Sequence, residues 1–300
     1  MPNKPLFGLN IDPSATKLQL AYKLAEIADS TNLDFIGIQD HPYNARFLDT
    51  WTLLTFLGAR TQHVRLMPNV LNLPLRPPAP LAKAAASLDI LTNGRVEIGL
   101  GAGGFWEGIV SYGGIQRTPA EAVSALEEAI AIMRALWQPT PSDQKVSFSG
   151  EHYQLVNTLP GPMPAHPIGI WLGALRPKML RLTGQKADGL IISSSYVPPE
   201  EVPPIQQTIN EAAQQAGRDP SAIRRAYNLM GTIVQPGSRP MVARRKGIII
   251  GAAQHWIDEL LRYYHELQMD TFFYWPVMGE EENQSHLFAE EVMPGVLEKL

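Results

Sequence analysis

Along this chain, short apolar runs alternate with amphipathic stretches. The clearest unit is residues 64–108, VRLMPNVLNLPLRPPAPLAKAAASLDILTNGRVEIGLGAGGFWEG. Val64–Asn69 reads as a buried strand, and Arg76–Leu91 has the Ala and Leu content and the spacing of a helix. Thr92-Asn93-Gly94 is a turn signal, and Arg95–Leu100 reads as a second buried strand. Two strands joined through a helix run parallel, with the helix laid on the sheet face. The glycines that follow then open a loop at the carboxyl end of a strand, where parallel α/β folds carry their chemistry.

The same rhythm extends in both directions. Leu6–Ile11 and Asp34–Gln39 are strand patterns. Thr16–Ser30, with apolar Leu18, Leu20, Ala21, Leu24 and Ile27, and Thr50–Arg60 are helical. After the glycine loop, Thr118-Pro119-Ala120-Glu121 has the cap, the first-turn proline and the acid of a capping box, and starts a helix running to about Trp137. Gln138–Pro167, with six prolines and a hairpin pattern at Val146–Leu155, interrupts the rhythm without ending it. Strands follow at Ile168–Leu172, Gly189–Ile192, Ile223–Val234 and Thr271–Trp275. Helices follow at Pro177–Gly184, Pro199–Ala216, Gly251–Leu267 and Gln284–Leu300. Eight strands, each followed by a helix, is the order of an α/β fold of the (β/α)8 TIM-barrel type. That reading makes 1–300 one domain, with 138–167 as an insertion after the fourth helix. The competing architecture is an open doubly wound sheet, and Gly99–Gly104 does fit G-x-G-x-x-G. The motif follows the fourth strand, however, and Glu121, the acid about twenty residues on, falls in the first turn of a helix instead of at a strand end.

Composition narrows the partners. Hydrophobic residues make up 45% of the chain and charged residues 18%, which is ample for a core. A net charge of −4, with acids and bases mixed along the chain, argues against a nucleic-acid partner. The absence of cysteine removes disulfides, thiolate metal sites and a cysteine nucleophile. The first residues, MPNKPLFGLNIDPS, lack the apolar segment of a secretion signal, and no run approaches the roughly 18 apolar residues of a membrane helix. A cytoplasmic protein without membrane contact is the expectation. The seven histidines, His41, His63, His152, His166, His255, His265 and His286, form no His-x-His or H-E-x-x-H pattern, so no metal site is expected.

In a barrel, the candidates for chemistry are polar residues at the carboxyl ends of strands. These are Asn10 and Asp12, then Gln39, Asp40 and His41, then Asn69 and Asn72, then Gly101–Gly104 with Phe105, Trp106 and Glu107. Later strands offer Gly173, Arg176, Ser193–Ser195, Asn228, Gln235 and Trp275. Asp40-His41 is the one Asp-His pair among them. A histidine there can donate a hydrogen bond or transfer a proton near neutral pH. Equally, Asp40 can cap the loop with His41 packed beneath it, and spacing leaves the two readings open. Gly173-Ala174-Leu175-Arg176-Pro177 is a glycine turn entering a helix, suited to phosphate through free amides and a forked guanidinium, or else a plain barrel loop. Phe105, Trp106 and Trp275 are either a wall for a flat ring or core aromatics.

Three segments, DFIGIQDHPY, VLNLPLRPPAPLAKAAASLDILTNGRVEIGLGAGGFW and PIGIWLGALRPKMLRLTGQKADGLIIS, resemble the luciferase-like flavin and deazaflavin oxidoreductases, and the resemblance runs over nearly the whole chain. It implies a barrel with an insertion between the middle strands and a flavin-type ring over the mouth. The cofactor phosphate is then placed at Gly173, Ala174, Leu175 and Arg176, with Ser193 near. Gly101 belongs to the loop beside the ring. Asn69-Val70 becomes the bulge beneath it, with a non-proline cis peptide expected there. Asp40 and His41 become the catalytic pair at the reactive face, stabilising the ring anion or relaying a proton. Tyr43, Phe105, Trp106, Glu107 and Trp275 become the substrate pocket.

Asp40-His41 matches the coenzyme F420 branch better than the Glu-His-His of many FMN monooxygenases. Sugar-phosphate dehydrogenases of that branch carry a glutamate where this chain has Gly104 and a tryptophan where it has Ala45. The nearest acid, Glu107, lies three positions on. The resemblance thus implies hydride transfer between coenzyme F420 and a small organic substrate other than a sugar phosphate. Alternatives are a two-component monooxygenase using FMN from a separate reductase, a non-catalytic flavin-binding protein, and an unrelated barrel hydrolase. It also implies a homodimer formed through early helices, for which Thr50–Arg60 and Lys83–Leu91 are suited. Pro236–Gly247 (PGSRPMVARRKG) reads as a basic loop near the mouth.

Overall fold

The computed structural model describes residues 3–139, 141, 144–235 and 246–300. Its first half contains β1 (Leu6–Ile11), α1 (Leu18–Ser30), β2 (Phe35–Ile38), α2 (Thr50–Arg60), β3 (Arg65–Pro68), β4 (Leu71–Asn72), α3 (Pro78–Leu91), β5 (Ile98–Gly101), α4 (Trp106–Ser111) and α5 (Pro119–Trp137). The hairpin β6 (Val146–Ser149) and β7 (Gln154–Thr158) follows, then β8 (Ile170–Gly173), α6 (Pro177–Lys186), β9 (Gly189–Ser193), α7 (Val202–Gln215) and β10 (Arg224–Ile233). The chain ends with β11 (Ile248–Gly251), α8 (Ala253–Leu267), β12 (Thr271–Pro276), α9 (Glu281–Leu287) and α10 (Met293–Glu298).

The long strands pair in parallel in the order β3-β2-β1-β12-β10-β9-β8-β5. Chain start and chain end meet in the register Leu6↔Thr271 to Leu9↔Tyr274. The ring closes between β3 and β5, where Leu66 N–H donates to the Arg95 carbonyl at 2.7 Å and Glu97 N–H to the Leu66 carbonyl at 3.0 Å. The architecture is a (β/α)8 barrel. The strands read as unbroken apolar runs because both faces are covered, by helices outside and by a second core inside. That inner core is Phe35, Met67, Trp171, Ile191, Ala226 and Phe273, with Val70 and Leu6 packed against it. The guanidinium of Arg65 lies 4.0 Å from the Phe35 ring centroid at the amino-terminal end, or base, of the barrel.

Local signals hold where a specific residue type is required. Thr118 Oγ1 accepts Glu121 N–H at 3.3 Å, and Glu121 Oε2 accepts Thr118 N–H at 2.7 Å, which completes the capping box of α5. Asn93 and Gly94 take φ of 57° and 83°, the left-handed pair that a tight turn needs. The insertion is tied down by Glu128 of α5, whose carboxylate accepts the N–H groups of Glu151, His152 and Tyr153 at 2.7, 3.0 and 3.0 Å.

Several segments differ from the sequence reading, among them the short β4 and α4, which it took as loop. β11 was not anticipated. It pairs with the carboxyl half of β10, from Met230↔Ile248 to Ile233↔Gly251. At ten residues β10 outruns its neighbours, and β11 covers the edge that projects past the barrel. Gly251 therefore ends a strand, and α8 begins only at Ala253. The last helical region starts at Glu281, before Gln284, and passes through a π turn at Phe288–Val292 that buries Phe288, Ala289 and Val292. Most of the basic loop, 236–245, lies outside the described residues. Among the described residues, no helix is long and apolar enough to cross a membrane.

Candidate active site

The carboxyl ends of the strands form the mouth of the barrel, and its floor is built from two kinds of group. Asn10 of β1, Asn69 after β3 and Asn228 of β10 join side chain to side chain. Asn69 Nδ2 donates to Asn10 Oδ1 at 2.9 Å and to Asn228 Oδ1 at 2.7 Å, and Asn228 Nδ2 returns a bond to Asn69 Oδ1 at 3.1 Å. Beside them, Val70 follows a cis peptide from Asn69, the non-proline cis bond that the resemblance implies. Gly101 and Gly173 face Val70: a Cβ on either would stand 3.0 Å from Val70 Cγ2. These glycines leave room for the Val70 shelf. A flat ring resting on that shelf would meet apolar carbon below and amide groups at its edge.

Asp40 and His41 leave β2 on this floor and part company. Asp40 is 2% exposed. Its Oδ2 accepts Asn72 N–H at 2.9 Å and Arg76 Nε at 2.8 Å, and its Oδ1 accepts Arg76 Nη2 at 2.8 Å. Arg76 Nη2 also reaches Asp49 at 2.6 Å, and these carboxylates hold its pKa above the ordinary guanidinium range despite burial. The Asp40 carboxylate is therefore committed to a buried fork and is not hydrogen-bonded to the neighbouring imidazole. Asp40 stands beside His41 as a buried, paired carboxylate.

His41 presents an exposed edge and packs its ring against Tyr43 and Phe47, at centroid distances of 5.7 and 6.4 Å. Its Nδ1 lies 2.8 Å from Tyr43 Oη. Burial pushes its pKa below the ordinary histidine value, and the Asp40 charge opposes that shift in part. Tyr43 packs edge-on against Phe105 at 5.3 Å, and Phe105 is 53% exposed. Trp106 is half-buried, Glu107 exposed, and Trp275 half-buried near the end of β12. Tyr43, Phe105 and His41 meet; among the described residues no hydrogen bond, ion pair or ring pair joins Glu107 or Trp275 to that cluster. Gly104 is exposed, with open space where a side chain would start.

The expected phosphate loop lies at the start of α6. No side chain caps that helix, and Pro177 fills its first turn. Arg176 is exposed at its N-cap, and Ser193 Oγ lies 3.1 Å from Ser195 Oγ on the adjacent strand end. Ala174 is buried and Leu175 half-exposed, so only their backbone can serve a ligand. Gly247 reaches the backbone of Ser194, so the segment entering β11 abuts this corner. Uncapped amides, a guanidinium and two hydroxyls are the donors that a phosphate takes, and the apolar Val70 shelf suits an isoalloxazine-type ring. The residues present therefore fit a flavin-type cofactor.

Sequence reasoning missed the role of Arg76, which it placed only as the start of a helix. It also listed Asn10, Asn72 and Asn228 without joining them. Their partners lie far off in sequence, and no local pattern points to them. A cleft of about 870 Å³ opens instead at the base, lined among others by Arg65, Glu97, Arg134, His166, Asp188 and Arg224. Most of its charges form ion pairs with one another.

The class of protein is now defined. The family model for luciferase-like monooxygenases matches residues 7–274, and the chain belongs to that family. It is 27% identical over 259 residues to a 5,10-methylenetetrahydromethanopterin reductase of Archaeoglobus fulgidus, covering 81% of this chain and 74% of that one. It is 30% identical over 215 residues to an F420-dependent glucose-6-phosphate dehydrogenase of Nocardia farcinica, covering 69% of this chain and 62% of that one. In structure it is similar to an F420-dependent secondary alcohol dehydrogenase in complex with an F420-acetone adduct, with a TM-score of 0.85 and 20% identity over 98% of this chain and 99% of that one. Relatives in this set use coenzyme F420 or FMN.

Proposed function

We propose that this chain is an oxidoreductase that moves a hydride between coenzyme F420 and a small organic substrate at the barrel mouth. The observation that carries this reading is His41: an imidazole exposed at the mouth, its Nδ1 2.8 Å from Tyr43 Oη, and the one histidine among the described residues of the floor. When bound, the deazaflavin supplies the two-electron chemistry, and the protein supplies binding, orientation and a proton partner. Val70 and the Asn69 amide support the ring. Arg176, Ser193 and the first-turn amides of α6 hold the phosphate. His41 donates to or accepts from the reacting face, with the Asp40–Arg76 fork fixing the loop that carries it. Tyr43, Phe105 and Trp106 shape the substrate side, with Glu107 and Trp275 at its margins. The open space at Gly104 and the small Ala45 favour a substrate other than a sugar phosphate.

The same reading assigns a cytoplasmic homodimer, supplied with reduced cofactor by a separate reductase. The stacked Tyr22–Phe56 pair, with Arg60 4.7 Å above Tyr22, lies on α1 and α2 and leaves Phe56 48% exposed, as a dimer face would require. Fluorescence titration of the purified protein with F420 and with FMN tests the cofactor. Micromolar or tighter binding of F420, with FMN at least tenfold weaker, is the expected result. Submicromolar FMN binding with no F420 binding overturns this reading in favour of the oxygen-using alternative.

A further inference from the structure

Four rings follow one another along one side of the mouth. Phe47, His41, Tyr43 and Phe105 are spaced at centroid distances of 6.4, 5.7 and 5.3 Å, with successive planes inclined by 44°, 52° and 66°. Rings inclined in this way do not cover one another's faces, and a further ring can pack against them edge to face. Nor are they core. Phe105 is 53% exposed, His41 is exposed, and Tyr43 and Phe47 are half-buried. A contiguous patch of exposed ring surface marks a contact site. Two devices fix the arc in advance. Arg76 binds Asp40 at 2.8 Å and Asp49 at 2.6 Å, and Thr50 Oγ1 donates to the Gln39 carbonyl at 2.5 Å. Both ends of the loop that carries Phe47, His41 and Tyr43 are therefore clasped together. Its middle is tied to the end of β1, where Ala15 N–H donates to the Arg46 carbonyl and Leu48 N–H to the Pro13 carbonyl, each at 2.8 Å. Phe105 arrives from the opposite side, just ahead of α4. A Cβ on Gly108 of α4 would stand 2.5 Å from Phe105 Cδ1 and 2.8 Å from Tyr43 Cγ, so α4 gives up a helix-favouring side chain to let these two rings meet.

We infer that this arc recognises the body of the substrate, and that the substrate carries its reacting carbon on a flat aromatic or conjugated ring. A saturated guest of the same size gains only the apolar area that it buries against the arc. An aromatic guest gains ring contacts beyond that area. The clasped loop and the Gly108 notch place the arc rings before the guest arrives, so little side-chain freedom is lost on binding. Phe47 joins Tyr43 and Phe105 as a specificity-determining residue, and Gly108 is a positioning residue that acts through the two rings beside it. The word substrate rests on the hydride-transfer reading; recognition of the ring does not.

The test is an NMR titration of the cofactor-free protein with acetophenone and, separately, with cyclohexyl methyl ketone, which has the same carbonyl on a saturated ring of similar size. Binding is read from the ring-proton resonances of His41, assigned by their loss in His41→Gln. Acetophenone should bind with a Kd on the order of 1 mM, as suits so small a ligand. It should bind about fivefold tighter than the saturated ketone, the worth of one well-placed ring contact, and shift the His41 resonances by its ring current. Phe105→Leu, at a position too exposed to matter for folding, should cut that preference to about twofold or less, because only buried area then remains. Gly108→Ala, which drives a methyl group into both rings, should do the same, with far-UV circular dichroism unchanged. Equal Kd values for the two ketones in the native chain, no response of His41 to acetophenone, or the native preference in Phe105→Leu overturns the proposal. Titration with F420 and FMN separates it from the reading on which it rests. F420 binding without a preference for acetophenone removes the arc alone. The preference in a chain that binds neither cofactor keeps the arc as a ring-binding site and removes the hydride-transfer reading.

Discussion

At the base of the barrel the charged side chains answer one another, and at the mouth they wait for something else. Around the base, Arg134 Nη2 meets both oxygens of Asp188 at 3.1 and 3.0 Å, and Arg224 Nε lies 3.3 Å from Asp270. Arg65 stands between Asp34 and Glu97 at 3.7 and 3.8 Å, and His166 Nδ1 is 2.8 Å from Asp89. These ion pairs tie the elements at the base to one another. At the mouth, among the described residues, Arg176 has no ion-pair partner, α6 starts uncapped, and Asn72 Oδ1 is idle. Asp40–Arg76 crosses this division, because it is a base-like fork placed at the mouth.

The largest test falls on that fork. Asp40→Ala should destabilise the protein by about 3–5 kcal/mol in urea denaturation, because Arg76 and the Asn72 amide lose a buried partner. A loss below about 1 kcal/mol would mean that Asp40 is not structural. His41→Gln should do the opposite: stability within about 0.5 kcal/mol of the native chain, and turnover with the preferred cofactor reduced about a hundredfold. Equal losses of stability and activity would erase the distinction between the two neighbours.

The smallest test compares the two ends by their pH response. His41 has its folded pKa depressed by burial, so the unfolded chain takes up a proton first and stability falls as pH drops below about 6.5. His166 has its folded pKa raised, by Glu97 first and also by Asp89 against the cost of burial. Its contribution is complete below about 6.5 and is lost as pH rises through the folded value. Melting curves across pH 5–9 should therefore flatten on the acid side in His41→Gln and on the alkaline side in His166→Gln. Effects on the order of 1 kcal/mol or less are expected for these partly exposed groups. Parallel curves for both variants would show that the two histidines do not sit in opposite environments.

The sequence alone determined the barrel, because its evidence is local and repeated: apolar strand runs, helical spacing, the Thr118–Glu121 box, the Asn93-Gly94 turn. It placed the mouth residues correctly at strand ends, because strand direction follows from strand–helix order. It missed β11, a short apolar run whose reason for pairing is the overlong edge of β10. It left open whether Asp40 works with His41 or caps the loop, because spacing does not show where two successive residues leaving a strand point. The division of labour was decided only by tertiary structure. Arg76 claims Asp40 from 36 residues away, and Asn228 joins Asn69 from 159. Such partners depend on which strand ends the closed ring brings together, and that proximity is encoded in the packing of the whole barrel instead of in any stretch of its sequence.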